Sequence, residues 1–216
     1  GKVHLEAVGY ELAPVVVTSD ELGERLEPLY KQLHVPEGSL EALTGIKERR
    51  WWEPNHSLSH SAATAAKKAL AKSGVPAEAL ETVVYAGVCR ENFEPATACA
   101  VAVELGVQGS ASVYDISNAC LGVLNGILDI ANRIQWGQIR AGIVVSAETA
   151  REIVEVTIQR MLRESTLSTY TDALATPPGG SGAVPTLIPA CARGHHASPR
   201  RTRRARRHAA APCAQF

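Results

Sequence analysis

Short apolar runs alternate along this chain with segments whose apolar residues recur at helical spacing. The apolar runs predict buried strands at 3–9, 82–89, 111–116 and 141–146. Spacings of three or four residues predict helices at 18–33, 57–72, 98–105, 121–134 and 151–163. Strands that alternate with helices favour parallel pairing, so we expect an α/β fold.

Local signals mark several ends of these helices. Thr18 and Glu21 have the spacing of a capping box, which predicts that a helix begins there. Gly74 and Gly106 follow apolar helical patterns and are expected to end two further helices. Pro95 is expected in the first turn of the helix at 98–105.

Cys120 stands between the predicted strand at 111–116 and a helical segment with almost no polar residues. Backbone N–H groups and the positive end of a helix dipole favour thiolate over thiol, and thiolate is the reactive form. Cys120 is therefore a candidate nucleophile that carries an acyl group as a thioester. The alternative is a small core residue, because free cysteine is often buried. The almost uniformly apolar helix after it is expected to be buried.

The composition fits a soluble α/β domain, with 216 residues, 45% apolar and 20% charged. No apolar run approaches the roughly 18 residues of a membrane span, and no signal peptide is evident, so we expect a cytoplasmic protein without membrane contact. The spacing of the cysteines suggests neither a disulfide framework nor a zinc site; they stand at positions 89, 99, 120, 191 and 213.

The composition changes after Val184. Residues 185–216 contain seven arginines, three histidines and four prolines but no lysine, aspartate or glutamate, which leaves residues 1–184 with a formal charge of −7. We interpret 185–216 as a disordered tail, read out of frame from a GC-rich gene after a frame change near Val184, and 1–184 as the folded unit. A nucleic-acid-binding arm or a solvated basic run are the alternatives. Pro185 and Pro189 are expected to interrupt any strand there.

Four segments resemble, in order, the β-ketoacyl-acyl-carrier-protein synthase III branch of the thiolase superfamily. They lie at 44–50, 94–99, 117–122 and 180–184, and the segment 117–122 resembles the nucleophile motif. The resemblance implies a thiolase-like fold of two similar α/β halves, each a mixed five-stranded sheet between helices. This chain corresponds to the first half. The histidine and asparagine of the family's Cys-His-Asn set belong to the second half, and His195, His196 and His208 do not match them.

The resemblance implies an acyltransferase that performs a Claisen condensation of acyl thioesters. Cys120 would accept an acyl group from acyl-CoA, and a carbanion from malonyl-acyl-carrier protein or a second acyl-CoA would attack it. The implied protein is a homodimer that needs no resident cofactor or metal. Because this chain corresponds to the first half alone, we expect it to be poorly soluble and to show little turnover.

Glu94 bears on how the carbanion arises. Residues 94–97 resemble a motif of the olefin-forming, head-to-head condensing enzymes, in which the glutamate crosses the dimer interface and acts as the base. A carboxylate suits that step when partial burial raises its pKa. The alternative for Glu94 is an acid that favours the dipole at a helix N-terminus.

The resemblance places Arg49, Arg50 and Trp51 near the mouth of the tunnel for CoA or the carrier protein, where arginines could meet phosphates. Boundary packing and a solvated face are the alternatives. Ser39 and Leu43 stand where typical synthase III enzymes have a tryptophan and an arginine that hold CoA. The glycines at 179–182 lack the context of a phosphate-binding loop and are read as a backbone turn.

Two other functions remain open at this stage. A catalytically silent homologue could serve as a dimerisation or carrier-protein-binding module. A nucleic-acid-binding protein is the less favoured alternative, because it depends only on the arginines of 185–216.

Overall fold

The computed structural model of the protein describes residues 3–190. Its strands are β1 (Ala7–Val8), β2 (Glu11–Leu12), β3 (Val15–Thr18), β4 (Glu48–Trp51), β5 (Thr82–Ala86), β6 (Ser112–Ile116), β7 (Ala141–Glu148) and β8 (Gly182–Pro189). Its helices are α1 (Ser19–Arg25), α2 (Glu27–Leu33), α3 (Ser39–Thr44), α4 (Leu58–Ser73), α5 (Thr97–Leu105), α6 (Gly122–Gln135), α7 (Arg151–Glu164) and α8 (Leu167–Ala173). Short 3₁₀ turns lie at Ala77–Ala79 and Ala119–Leu121.

The main sheet is mixed, with the order β1-β8-β7-β5-β6, and β2 also pairs with β8. The parallel pairing predicted from the alternation of strands and helices is confirmed for β5 with β6 and with β7. In contrast, β8 runs antiparallel to β7 and to β1. Because β5 and β6 are parallel, their carboxyl ends lie at the same edge of the sheet, and Cys120 follows one of them.

Both faces of the sheet are buried, which explains the continuous apolar runs in its strands. Val83 and Tyr85 of β5 face a cluster that includes residues of α4 and α5. Val84 and Ala86 face the opposite cluster, to which α6 contributes Ile130 and Ile134. The alternation of side chains along β5 thus places α6 and α5 on opposite faces.

A second layer of structure lies beside the sheet. β3 pairs antiparallel with β4, and their residues pack with α1, α2 and α7 around a separate core. Leu22, Leu26, Ile158 and Met161 are almost completely buried in it. The sequence pattern did not predict β3, β4, α3 or α8, since each is short.

Several predicted helix ends are confirmed. Thr18 accepts from the Glu21 amide while the Glu21 carboxylate accepts from the Thr18 amide, which completes the capping box. Gly74 and Gly106 end α4 and α5 in the left-handed conformation. The predicted helix at 18–33 is divided at Leu26, because α2 begins at Glu27 with a proline in its first turn. Pro95 precedes α5, which begins at Thr97, so its predicted place inside that helix is wrong.

The prediction that Pro185 and Pro189 interrupt a strand is also wrong. β8 includes both prolines and pairs with β7 along its whole length. Pro185 lacks an N–H donor, but it faces the gap between β1, which pairs at Thr186 and Leu187, and β2, which pairs at Gly182 and Ala183. Its carbonyl accepts from the Gly9 amide at 3.4 Å. The predicted boundary at Val184 therefore falls inside a strand, and the predicted disorder of 185–216 is wrong for 185–189, which belong to β8. Residues 191–216 of that predicted tail lie outside the described residues.

The helices found within residues 3–190 are all too short or too polar to span a bilayer.

Candidate functional site

Cys120 lies in the 3₁₀ turn between β6 and α6, and its side chain is exposed. Ala119, immediately before it, has a φ of +43°, a left-handed conformation that is unusual for a residue with a Cβ. Such strain is typical of functional turns. The turn is held by a hydrogen bond of 2.9 Å from the Leu121 amide to the Asn118 carbonyl. The structure therefore presents the sulfur at the carboxyl edge of the sheet, so the alternative of a buried core residue does not apply to the described chain.

Two glycines bring α6 close to the sheet. A Cβ added at Gly122 would lie 3.6 Å from the Ala86 Cβ, and one added at Gly126 would lie 3.0 Å from Val144 Cγ1. The beginning of α6 consequently lies directly over the strands. This close packing fixes the turn that carries Cys120.

The outer side of α6 differs from the sequence prediction. Leu121, Leu124 and Leu128 are each more than half exposed, and we call them the leucine face. The expectation of a buried helix is wrong for residues 3–190, because α6 packs on the sheet only through its other side. Gly122, Gly126, Ile130 and Ile134 form that buried side. An apolar surface therefore adjoins the candidate nucleophile.

Glu94 lies in the loop between β5 and α5 and is exposed, as is its neighbour Phe93. The Glu94–Pro95 peptide bond is cis. The carboxylate that binds the N-terminus of α5 belongs instead to Asp115, whose oxygens accept from the Thr97 and Ala98 amides at 2.9 Å each. The alternative role for Glu94, as the acid at this helix end, is thus filled by another residue.

Two further carboxylates anchor the first part of the same loop. Glu148 accepts from the amides of Val88 at 2.7 Å and Cys89 at 3.0 Å. Glu91 accepts from the Ser57 hydroxyl, and from the amide and hydroxyl of Ser59, at the beginning of α4. Burial raises the pKa of Glu91, but the hydrogen bonds from Ser57 and Ser59 together outweigh it and lower the pKa below its usual value.

Cys89 provides a contrast with Cys120. Its half-buried thiol donates to the Thr149 carbonyl at 3.4 Å, and burial raises its pKa to about 11. It is therefore almost entirely protonated at neutral pH and is a poor nucleophile. Cys99, on α5, is also partly buried. Of the three cysteines among residues 3–190, Cys120 is the exposed one.

The three residues predicted to contact a substrate have different surroundings. Arg49 is buried, donates to the Ser19 hydroxyl at 2.8 Å and the Val17 carbonyl at 3.2 Å, and has its pKa lowered by burial. Trp51 is buried too, and its indole N–H donates to the Gly179 carbonyl. This packing favours the structural interpretation for both. Arg50 is exposed, so its contact with substrate phosphates stays a prediction.

The glycine-rich segment at 179–182, expected to be a backbone turn, instead follows a turn at 174–178 and leads into β8 at Gly182. The Ser181 amide donates to the Arg50 carbonyl at 2.8 Å, and the Ser181 hydroxyl accepts from the Ala150 amide at 2.9 Å. These bonds tie the start of β8 to β4 and α7. The segment therefore positions strands near the site.

Sequence reasoning missed Asp115, Glu91 and Glu148 as organisers of the loop. Asp115 offered a signal, since a carboxylate inside an apolar strand is costly unless it is hydrogen-bonded. Its partners are backbone amides 17 and 18 residues away, which side-chain patterns do not reveal. The described residues contain no group of three His, Cys, Asp or Glu side chains arranged to hold a metal ion.

A separate cleft of about 400 Å³ opens between α1 and α3. None of the predicted site residues lines it. Its walls carry several carboxylates, among them Asp20, Glu24 and Glu41. That lining does not suit an apolar acyl chain.

Comparison with known proteins finds a matching family model, related sequences and a related solved structure. The family model "Thiolase, N-terminal domain" matches residues 46–171. An acyl-CoA:acyl-CoA alkyltransferase from Shewanella oneidensis is 57% identical over 187 residues, which cover 87% of this chain and 54% of the relative. A β-ketoacyl-acyl-carrier-protein synthase III from Caldanaerobacter subterraneus is 35% identical over 51% of this chain and 33% of the relative.

A solved structure, cerulenin-bound OleA from Xanthomonas campestris, superimposes with a TM-score of 0.85 and 32% sequence identity. The superposition covers 88% of this chain and 59% of that one. The chain thus spans about half the length of the curated relatives that it matches.

Proposed function

Because the chain belongs to the thiolase superfamily, which it matches through the thiolase N-terminal domain, we propose that it contributes the nucleophile of an acyl-condensing enzyme. The observation that carries the proposal is the exposed Cys120 on a strained turn at the beginning of α6. The adjoining leucine face is apolar, as the surroundings of an acyl chain would be. The acyl-CoA:acyl-CoA alkyltransferase from Shewanella oneidensis among the relatives favours acyl-CoA as the substrate.

The proposed reaction begins when the Cys120 thiolate attacks the carbonyl carbon of an acyl-CoA. The new C–S bond replaces the bond to CoA, which leaves as a thiolate and takes up a proton. An α-carbanion of a second acyl thioester then attacks the Cys120-bound carbonyl, forming a C–C bond and releasing the cysteine. The product is a β-ketoacyl thioester.

We assign Glu94 the removal of the α-proton that generates this carbanion. The support is its place on a loop anchored by other acids, with the α5 N-terminus already served by Asp115. Partial burial of this exposed carboxylate requires the second copy of the proposed dimer. A base in this position makes decarboxylation of a malonyl group unnecessary, which fits condensation of two acyl-CoA molecules. The proposed assembly is a homodimer, and β6, which forms an edge of the sheet within residues 3–190, offers a surface through which two copies pair.

The acyl-enzyme is tested by incubating the purified chain with a long-chain acyl-CoA and localising adducts by tandem mass spectrometry. We expect an acyl thioester on Cys120 that is absent from Cys120→Ala. Cys99→Ala is the matched control and should retain the adduct, because Cys99 is partly buried on α5. An adduct that persists in Cys120→Ala would contradict the proposal, and no adduct in the parent chain would favour the silent-module alternative.

A further inference from the structure

Asp115 connects the two segments that carry the proposed chemistry. It lies on β6, five residues before Cys120, and its two oxygens accept from the first two amides of α5. Glu94 lies three residues before the first of those amides. One carboxylate thus joins the strand leading to the thiol with the helix that follows the loop of Glu94.

No other group among residues 3–190 takes this place at the beginning of α5. Ala96, the N-cap residue, provides no side-chain hydrogen bond. Thr97 and Ala98 are almost completely buried, so water has little access to replace a missing acceptor. A carboxylate at a helix N-terminus also gains from charge-assisted hydrogen bonds and from the helix dipole.

The other anchors act earlier in the loop. Glu148 accepts hydrogen bonds from the amides of residues 88 and 89. Glu91 accepts from the hydroxyls of Ser57 and Ser59 and so ties this part of the loop to the beginning of α4. Residues 92–96, which include Glu94, follow these contacts. Their next fixed point along the chain is the pair of amides bound by Asp115.

We propose that Asp115 is a positioning residue that fixes the place of Glu94 on its own subunit, from which the carboxylate reaches across the proposed dimer interface. The inference rests on the proposed role of Glu94 as the base. Asp115 itself contacts neither reacting carbon in this scheme. It acts by holding the α5 end of the loop to the strand that leads to the nucleophile.

The proposal is tested by pulsed electron paramagnetic resonance between spin labels on Cys120 and on a Glu94→Cys variant. Cys99, Cys191 and Cys213 are replaced by serine and Cys89 by alanine, and labelled chains are diluted with unlabelled ones to isolate distances within one subunit. We expect one narrow distance distribution in this background. Adding Asp115→Asn should at least double its width, because an amide NH2, which only donates, replaces one of the two oxygens that accept from the backbone N–H groups.

Asp115→Glu is the matched variant, since it keeps both acceptor oxygens on a side chain one methylene longer. It should preserve a narrow distribution. An unchanged width in a folded Asp115→Asn protein would overturn the proposal, because a residue that only stabilises the fold would lower the melting temperature without changing this distance.

Hydrogen exchange of the parent chain provides a measurement that does not depend on a variant. The Thr97 and Ala98 amides should exchange far more slowly than those of residues 92–94, and equally fast exchange would also overturn the proposal. Failure to acylate Cys120 would remove the proposed function yet leave these two measurements interpretable, so the two failures are distinguishable.

Discussion

At the scale of single residues, the surroundings of Cys89 and Cys120 differ in burial and in hydrogen bonding. Cys89 is held against the Thr149 carbonyl with its pKa raised to about 11 by burial, while Cys120 is exposed after a left-handed Ala119. The difference arises because α6 begins at Gly122 and lies close to the sheet. Chemistry at this edge therefore depends on backbone placement as much as on residue type.

Glu94→Gln tests the proposed base. In heavy water, the parent is expected to incorporate deuterium at the α-carbon of acyl-CoA, measured by mass spectrometry. The amide cannot take up the proton, so incorporation should fall by about 10²-fold or more, in line with the usual contribution of a general base. The acyl adduct on Cys120 should persist, since its formation does not require Glu94.

The matched control for this experiment is Glu78→Gln. Glu78 is exposed and lies in the 3₁₀ turn before β5, at the opposite edge of the sheet from Cys120. It should leave deuterium incorporation unchanged. Equal losses in both variants, or no loss in Glu94→Gln, would count against the assigned role.

At the scale of helices and strands, the sequence predicts what local signals determine. Ser57 and Gly74 delimit α4, and Thr18 begins α1, because each cap involves residues within one turn. The sequence does not predict β8, a strand whose partners are distant in the chain. β8 forms by pairing with β7 along its whole length, including at both prolines. Cys120 was proposed from its place between a strand and a helix and then by resemblance, and Glu94 by resemblance alone, whereas Asp115 required the fold to bring α5 to β6.

Gly9→Ala tests how tightly the elements around β8 are packed. A Cβ at Gly9 would lie 2.7 Å from the backbone oxygen of Ala65 in α4 and 3.2 Å from Pro185 in β8. Because the backbone of a helix moves little, the substitution is expected to lower the free energy of unfolding by about 1–3 kcal/mol. Denaturant titration followed by circular dichroism measures the change.

Gly109→Ala is its control, because no atom lies within 4 Å of the added Cβ. It should leave stability unchanged or raise it by up to about 1 kcal/mol through the unfolded state. If both alanine variants had the same stability as the parent, the close packing at Gly9 would be less restrictive than the geometry indicates.

At the scale of the whole molecule, the chain leaves apolar surface exposed next to its candidate nucleophile. Leu124 and Leu128 are 56% and 53% exposed on the leucine face, and Phe93 is 97% exposed on the loop of Glu94. Clustered apolar surface of this kind promotes association. The expectation of limited solubility follows from these side chains.

Replacing Leu124 and Leu128 together by glutamine should reduce that association. Light scattering over a range of concentrations is expected to give a lower apparent mass for the double variant than for the parent, whose single chain is 23.0 kDa. Leu167→Gln is the control, because Leu167 is similarly exposed on α8. A double variant that associates as strongly as the Leu167→Gln protein would show that the leucine face is not responsible.

The position of β8 has a consequence for synthesis on the ribosome. β1 is made first, yet its partner is β8, which also pairs with β7 and is completed only at Pro189. While residues 182–189 remain in the exit tunnel, β1 and β7 have no strand between them, and their backbone edges are open to wrong partners. The nascent chain therefore has to leave β1 without its partner, and one edge of β7 open, until almost all of residues 3–190 have emerged.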